Sequence, residues 1–292
     1  MRMWRRLLTP SCELTTMSSI SGARAPAQVV PIAITVNVGS RAAAIDKILE
    51  RLHAGLGFRF YTLNLDHLSR LSENAEFRAA YRAAELVSAD GWPIVWLMRR
   101  QGASVARTTG ADLIEPICAA AARNGFGIYF VGPGEASQAG AIANLRAGSP
   151  GLKVVGAECP SLSEQLDEAS LTQLASRIER SGAALCFLAL GSPKQELAAH
   201  RLRVLCPKVG FIGIGAGMDF LSGFAIRAPL RMQRWRLEWL WRLVTQPKRL
   251  APRYWRCGSF FAALILRGAI DRNELAVVRG ADARLRHALD PR

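Results

Sequence analysis

The chain has 292 residues, half of them apolar, and carries 38 Lys and Arg against 23 Asp and Glu, a formal net charge of +15. This length and apolar fraction exclude a wholly disordered or collagen-like chain, and the longest apolar runs are far shorter than the ~18 residues of a membrane-spanning helix. The excess positive charge is compatible with three kinds of partner: nucleic acid, anionic lipid and an anionic small substrate.

The positive charge is concentrated towards the C-terminus. Residues 1–226 hold 23 Lys and Arg and 18 Asp and Glu, a net of +5, whereas residues 227–292 hold 15 and 5, a net of +10. The second segment also contains four of the seven tryptophans, which are Trp235, Trp239, Trp241 and Trp255. A nearly balanced body is therefore followed by a basic, tryptophan-rich segment.

The N-terminus and the cysteines are typical of a protein of the reducing cytoplasm. Residues 1–8 are basic but lack the sustained apolar stretch of a signal peptide. Residues 9–28, rich in Ser, Thr, Ala and Pro, are predicted to be a flexible extension, unless the start codon is assigned too early. The six cysteines contain no Cys-x-x-Cys pair, which argues against a zinc site and a disulfide framework.

From residue 29 onward, short apolar runs alternate with longer helical patterns. The predicted strands are Val29–Val36, Phe58–Leu63, Leu86–Ser88, Gly127–Val131, Lys153–Val155, Ala184–Leu190 and Val209–Ile214. Helices are predicted near 40–54, 74–83, 93–101, 111–124, 135–147, 163–180 and 194–205. Continuous apolar strands are typical of a parallel sheet covered on both faces. The alternation predicts an α/β fold, a Rossmann-like doubly wound domain with a mainly parallel sheet.

Glycines and polar residues follow the predicted strands. Asn64 follows the second strand and Asp90 the third, while the segments 132–134, 191–196 and 215–219 follow three later strands. Ligands of doubly wound folds bind beyond the C-terminal ends of the strands. The sequence therefore predicts a ligand site at this edge of the sheet.

The individual motifs leave alternatives open. Gly132 and Gly134 match the start of a dinucleotide fingerprint, but Ser137 stands at the third glycine position, which favours a tight turn over NAD binding. A phosphate at the following helix N-terminus remains compatible with this turn. Asp90 is either an ordinary turn residue or a general base at the mouth of the sheet.

The segment 191–196 has a more specific pattern. Ser192 fits a helix N-cap and Pro193 the first helical position, so part of the motif is explained by a helix start. Capping does not require Lys194, Gln195 and Glu196, which bring polar groups to the ligand edge. No metal site is predicted, because the pair Asp66-His67 has no second histidine nearby and no Asp-x-Asp occurs.

The C-terminal segment has an amphipathic pattern. Trp235, Trp239 and Leu243 repeat at a helical spacing that predicts one face of a helix. This face either packs on the body or lies on anionic lipid, with the arginines available to a diphosphate. The apolar run Gly258–Leu266 is too short to span a bilayer but is compatible with insertion into the interface.

Taken in order, these motifs resemble a known family over roughly residues 30–255. The blocks are Thr62-Leu63-Asn64, Asp90-Gly91, Arg107–Leu113, Gly191–Glu196, Gly215–Phe220, Arg227-Ala228-Pro229, and Leu237–Leu240 with Arg242-Leu243, Pro247–Leu250 and Arg253-Tyr254. The chain is similar to the WecG/TagA/CpsF glycosyltransferases, glycosyltransferase family 26. Each block alone is weak, but their number and order make the resemblance specific.

The resemblance implies transfer of a sugar from a UDP-sugar to a polyprenyl-diphosphate-linked saccharide at the inner face of the cytoplasmic membrane, with inversion and without an obligatory metal or other cofactor. It also implies a membrane-docking C-terminal appendage. The family's base falls on Asp90. The other site positions are Thr62, Asn64 and Gln195 for catalysis, and Arg107, Gly132, Gly191, Pro193, Lys194, Glu196, Gly215, Asp219, Arg242, Arg249 and Arg253 for substrate binding.

On this basis the chain divides into an extension (1–28), an α/β domain (29–226), an appendage (227–256) and a tail (257–292). The chain departs from the family pattern at Glu158–Ser161 and at Arg236-Leu237, which leaves the sugar open. The alternatives are a nucleotide-binding oxidoreductase and a non-catalytic membrane-surface scaffold. Nucleic acid is disfavoured because no nucleic-acid-binding motif accompanies the basic residues, and a homo-oligomer remains open.

Overall fold

The computed structural model describes residues 34–163, 165–266 and 277–279. These residues fall within one compact unit, Pro31–Arg292. The predicted extension 1–28 lies outside the described residues, as does most of the tail beyond residue 266. The fold described below is therefore that of the α/β body and of the segment 227–266.

A six-stranded parallel sheet forms the centre of the body. Its strands are β2 (Phe58–Leu63), β3 (Leu86–Ala89), β4 (Gly127–Val131), β5 (Lys153–Glu158), β6 (Leu185–Leu188) and β7 (Gly210–Gly213), arranged in the order β3-β2-β7-β6-β4-β5. A separate parallel pair joins β1 (Ile34–Val36) to β8 (Val277–Arg279). The predicted strands and their parallel arrangement are confirmed for the described residues.

Helices cover both faces of the sheet. They are α1 (Arg41–His53), α2 (Leu65–Glu73), α3 (Ala75–Arg82), α4 (Trp92–Arg100), α5 (Ala111–Asn124), α6 (Glu135–Gly148), α7 (Glu168–Arg180), α8 (Lys194–Leu205), α9 (Gly217–Leu221), α10 (Leu230–Arg234), α11 (Glu238–Thr245) and α12 (Pro247–Leu266). Side chains of α1, α5 and α6 pack in one core, and those of α2, α3, α4, α7 and α8 in another. This two-sided packing confirms the Rossmann-like doubly wound class.

Strand β2 shows why the central strands carry apolar residues on both faces. Phe58 and Phe60 belong to the core on one face of the sheet, while Tyr61 and Leu63 belong to the core on the other. Successive side chains of a strand point to opposite faces, so both sets must be apolar when both faces are covered. A strand of this kind gives no alternating pattern in the sequence.

Two helices differ from the sequence prediction. Helix α2 is absent from the prediction, because its buried face includes the polar residues Asp66 and His67, which interrupt the apolar pattern. Helix α7 begins at Glu168 rather than near residue 163, because the Asp167 side chain accepts a hydrogen bond from the Ser170 amide at 2.8 Å and caps the helix there.

The predicted tryptophan face of the C-terminal segment is wrong as a single helix. Trp235 lies at the end of α10, whereas Trp239 lies in α11. Between them Arg236 has a φ of 65°, a left-handed conformation that interrupts the helix. Trp235 and Trp239 are both exposed. The two tryptophans therefore do not lie on one face of a single helix.

Helix α12 attaches the C-terminal segment to the body. Leu250, Cys257 and Leu264 are buried, and Leu264 belongs to the same core as α2. The helix continues through residues 256 and 257, so the predicted boundary between appendage and tail falls inside it. We therefore call residues 227–266 the appendage from here on. No helix in the described ranges combines the length and hydropathy needed to cross a membrane.

Candidate active site

The ends of β2 and β3 bring the predicted base close to two predicted polar residues. The Asp90 amide donates to the Leu63 carbonyl at 2.8 Å, which places Asp90 directly beside Asn64. Thr62 lies one residue before Leu63 and pairs in register with Ser88. Parallel strands end at the same edge of a sheet, and these three candidates therefore meet there.

Asp90 is half-buried, and its surroundings favour the protonated form more than water does. Burial is the main cause that raises the pKa of Asp90 to about 6. The guanidinium groups of Arg107 and Arg242 lower this pKa, and the carboxylates of Glu238 and Asp112 raise it. A carboxylate with a pKa of about 6 is mostly ionised at neutral pH and is a stronger proton acceptor than an ordinary aspartate.

Asn64 has a structural contact in addition to its place at this edge. Its side-chain oxygen accepts a hydrogen bond from the His67 amide at 2.9 Å and caps α2. Because this oxygen caps the helix, the side-chain nitrogen of Asn64, which takes no part in the cap, is the atom better placed to contact a ligand. Thr62 is buried, and its carbonyl accepts from the Tyr81 hydroxyl at 3.3 Å.

Gln195 joins the loops that follow β6 and β7. Its Oε1 accepts from the Gly215 amide at 3.0 Å, and its Nε2 donates to Glu196 Oε1 at 2.7 Å. Glu196 is only 1% exposed, and burial raises its pKa to about 7. Glu196 thus fixes the orientation of the Gln195 amide, and both side chains are buried at the start of α8.

The start of α8 is shifted by one residue from the prediction. Pro193, not Ser192, occupies the N-cap, and Lys194 is the first helical residue. The Lys194 ammonium donates to the Leu162 carbonyl and so holds the segment that follows β5. Gly191 has a φ of 75°, which favours glycine at this turn.

Two more glycines and one aspartate complete the predicted edge. Gly132 has a φ of 73° and approaches the Ala189 carbonyl so closely that a side chain would crowd it. Gly215 has a φ of 53°. Asp219 accepts a hydrogen bond from the Ser137 hydroxyl at 2.7 Å and links α9 to α6. These residues shape the edge around Gln195.

The appendage meets the body at a network of arginines and carboxylates beside Asp90. Arg107 Nη1 donates to Glu238 Oε2 at 3.1 Å, and Arg242 lies 3.7 Å from the other oxygen of Glu238. Asp112 is paired with Arg107 at 3.6 Å and with Arg227 at 2.6 Å. Two predicted site residues, Arg107 of the body and Arg242 of the appendage, thus share Glu238 as a partner.

The structure brings Arg253 to a different cluster. Its Nε lies 3.3 Å from Asp66, a carboxylate that is only 3% exposed and that also pairs with Arg70 at 3.0 Å and Arg256 at 2.6 Å. Burial raises the pKa of Asp66, but these arginines outweigh it and the pKa is lowered. Arg249 lies in α12, and its side chain is outside the described part of the structure.

Sequence reasoning missed three residues of these networks. Glu238 had a signal, because it is the only acidic residue between residues 227 and 266, where Lys and Arg number nine. Asp112 lies within the block Arg107–Leu113 and Asp66 was considered only as a metal ligand, and neither was given a role, since a lone aspartate at a helix start is common. In the described ranges, no group of three or more His, Cys, Asp and Glu side chains is arranged to hold a metal ion.

One comparison with known proteins bears on this geometry. The family model described as "Glycosyl transferase WecG/TagA/CpsF family" matches residues 29–275, which is most of the chain. The match includes both the α/β body and the appendage, and it favours a transferase over the oxidoreductase alternative. It also suggests a role in cell-surface polymer biosynthesis. With the parallel sheet and the polar edge already described, the match shows that the chain belongs to the WecG/TagA/CpsF glycosyltransferase family.

Proposed function

We propose that this glycosyltransferase moves a hexose-type sugar from a UDP-sugar to a polyprenyl-diphosphate-linked saccharide during synthesis of a cell-surface polymer or exopolysaccharide. The observation that carries the proposal is Asp90, a carboxylate at the ligand edge of the sheet. The Thr108 amide donates to the Ala89 carbonyl at 2.8 Å, which brings the backbone of Arg107 alongside Asp90, and Arg107 in turn shares Glu238 with Arg242 of the appendage. A base and cations in one place are what transfer from a nucleoside diphosphate requires.

In the proposed reaction Asp90 accepts the proton of the acceptor hydroxyl. The hydroxyl oxygen forms a bond to the anomeric carbon, and the bond from that carbon to the diphosphate oxygen breaks. The electron pair leaves with UDP. A single displacement of this kind inverts the anomeric centre and needs no covalent intermediate. Above pH 6 most Asp90 side chains are ionised, so the base is ready at neutral pH.

The negative charge that develops on the leaving diphosphate needs donors and cations. Arg107 and Arg242 are arginines whose charges act on Asp90, and a guanidinium can bind two phosphate oxygens at once. We propose that Arg249 contributes from α12, and that Arg253, which is paired with Asp66 in this structure, does so after leaving that carboxylate. Three residues would orient the sugar: Thr62, Asn64 and Gln195. Seven further residues shape or contact the donor site, and these are Gly132, Gly191, Pro193, Lys194, Glu196, Gly215 and Asp219.

We further propose that these groups serve in place of a metal. A direct test is the transfer rate in the presence of EDTA, which we expect to equal the rate in its absence. Loss of activity on chelation, with recovery on addition of Mn²⁺, would contradict the proposal.

The exposed apolar residues of the appendage support attachment to the inner face of the cytoplasmic membrane. Trp235, Val244, Trp255 and Leu266 are all exposed, and Trp255 is 80% exposed. Exposed tryptophans among arginines are typical of segments that lie in the interface of an anionic membrane. The lipid-linked acceptor would then reach the site from the surface on which the appendage lies.

The experiment that tests the proposed function is a UDP-release assay over a panel of UDP-sugars with a polyprenyl-diphosphate-linked saccharide as acceptor. We expect acceptor-dependent release with at least one donor and a product of inverted anomeric configuration. A retained configuration would overturn the single displacement. Absence of release with every donor would overturn the donor class.

A further inference from the structure

Glu238 is the feature that the proposed reaction leaves unused. It is the only carboxylate among nine basic residues in 227–266, a segment where every other charged residue favours an anionic surface. Its side chain is turned towards the body, where one oxygen accepts from Arg107 at 3.1 Å and the other lies 3.7 Å from Arg242. Its side chain is about one-fifth exposed. A carboxylate in this position contributes nothing to lipid attraction.

Glu238 affects Asp90 in two ways. As a negative charge near a second carboxylate, it opposes the ionisation of Asp90. Glu238 is also the shared partner of Arg107 and Arg242. It therefore limits how strongly these two cations stabilise the ionised form of Asp90. The groups around Asp90 are these three together with Asp112, and Tyr81 from α3. Without Glu238, the cations around Asp90 would outnumber the carboxylates.

We propose that Glu238 is a positioning residue of the transferase, which holds the guanidinium groups of Arg107 and Arg242 beside Asp90 and keeps a negative charge near that base. This inference rests on the proposed function, since it assigns Glu238 to the same site. The consequence for the base is that it remains a good proton acceptor despite two neighbouring arginines, because basicity falls when cations stabilise the carboxylate.

The role has a second consequence for the donor. The diphosphate of UDP carries negative charge and would compete with Glu238 for the same guanidinium groups. Removal of the Glu238 charge should therefore strengthen the binding of UDP while it weakens the base. A residue that only fastened the appendage would have the opposite effect on UDP, because its loss would misplace Arg242.

The test compares Glu238→Gln, which is nearly isosteric, with Glu238→Asp, which keeps the charge. The matched control is Glu76→Gln, because Glu76 is also paired with an arginine, Arg201 at 2.6 Å, but on the surface of the body. Two quantities are measured in each variant: the affinity for UDP by calorimetry, and the titration midpoint of Asp90. The Asp90 midpoint is obtained from infrared difference spectra against the Asp90→Asn variant of each background.

We expect Glu238→Gln to bind UDP roughly threefold or more tightly, as removal of one partly screened charge predicts, and to move the Asp90 midpoint to lower pH. Glu238→Asp and Glu76→Gln should match the wild type in both quantities. An unchanged midpoint in Glu238→Gln, weaker UDP binding in that variant, or equal behaviour of the Gln and Asp variants overturns the inference.

The infrared measurement requires no turnover, so the two proposals fail separately. If the wild type neither binds UDP nor transfers sugar, the proposed donor is wrong, and the Asp90 midpoint alone still decides whether Glu238 controls this carboxylate. If transfer is observed but the midpoint does not move, the proposed function stands and the role of Glu238 does not.

Discussion

The α/β body and helix α11 of the appendage are held in place by different forces. Strands β3, β6 and β7 are buried along their whole length, and each face of the sheet has its own apolar core. In contrast, α11 has no buried residue. Its side chains reach the body through ion pairs such as Arg107–Glu238. Apolar burial thus builds the body and attaches α12 to it through Leu250, Cys257 and Leu264, whereas charge contributes strongly to the placement of α11 over the site.

This difference assigns separate roles to the two regions. The free energy gained by burying apolar side chains is proportional to the buried apolar area and is nearly independent of salt and pH. Ion pairs at partly exposed sites are weaker and depend on both. We therefore expect the body to be insensitive to solution conditions under which the position of α11 changes. Substitutions in each region provide tests of this division.

The largest effect is expected for Asp90→Asn. Loss of a general base should reduce sugar transfer by roughly 10²- to 10⁴-fold, while UDP binding is retained or strengthened because a negative charge beside Arg107 and Arg242 is removed. Transfer rates together with UDP calorimetry measure this. Near-normal turnover would remove Asp90 from the mechanism and would place the chemistry elsewhere than at the β2–β3 edge.

The body should be most sensitive to loss of core volume. Phe187 is fully buried and stacks on Phe130 with a centroid separation of 5.5 Å. Phe187→Ala should lower the free energy of unfolding by about 3–5 kcal/mol because it leaves a cavity in the core. Chemical denaturation measures the change, and the loss should be the same at low and high salt. A strong salt dependence would contradict the division between the two regions.

The attachment of α12 should depend on Asp66. Asp66→Asn removes the carboxylate shared by Arg253 and Arg256 and should cost about 1–3 kcal/mol, the range for hydrogen bonds to charged groups. The pKa of Asp66 is lowered in the folded chain, so its stabilisation is present above the pKa of an ordinary aspartate and is lost as pH falls through the folded value.

Hydrogen exchange of α12 amides over a pH series measures this effect. The wild type should lose protection at acid pH, whereas Asp66→Asn should have low protection throughout. Equal protection in the two proteins at neutral pH would show that apolar contacts of α12 suffice to hold it.

A smaller effect is expected for the exposed tryptophans. Trp255→Ser should reduce partition into anionic vesicles by roughly tenfold, since a tryptophan at the interface contributes on the order of 1–2 kcal/mol. Val204 lies in the body, outside the appendage, and is 75% exposed. Val204→Ser is therefore the control, because it removes a similarly exposed apolar side chain from a different part of the chain. Vesicle co-sedimentation measures both, and an equal loss in the two variants would contradict a specific membrane surface on the appendage.

Sequence reasoning predicted the body better than the appendage. Strands β2 and β4 were predicted with the observed bounds, because a buried parallel strand is a short apolar run between turns. Helix α2 was missed because its buried Asp66 and His67 resemble a polar loop. The Trp235–Leu243 helix was predicted as one element because nothing local indicates the left-handed Arg236.

The candidate site was also predicted better within the body than within the appendage. The polar edge that holds Asn64, Asp90 and the segment 191–196 was predicted from positions after the strands, which the topology of a parallel sheet brings together. The site roles of Asp90, Asn64 and Gln195 came from the family resemblance. The partners of the arginines were not predictable, because nine Lys and Arg residues between 227 and 266 are chemically alike in the sequence. Arg242 meets Glu238 and Arg253 meets Asp66 only in the folded chain.

The sequence by itself determined the family, the alternation of strands and helices, and the edge at which Asp90 lies, since these depend on local apolar patterns and ordered motifs. Only the tertiary structure decided which charges meet. Arg107 and Glu238 are 131 residues apart, and Asp66 and Arg256 are 190 residues apart. Ion pairs of this range depend on how α11 and α12 pack, because a guanidinium pairs with whichever carboxylate the packing brings within a few ångströms.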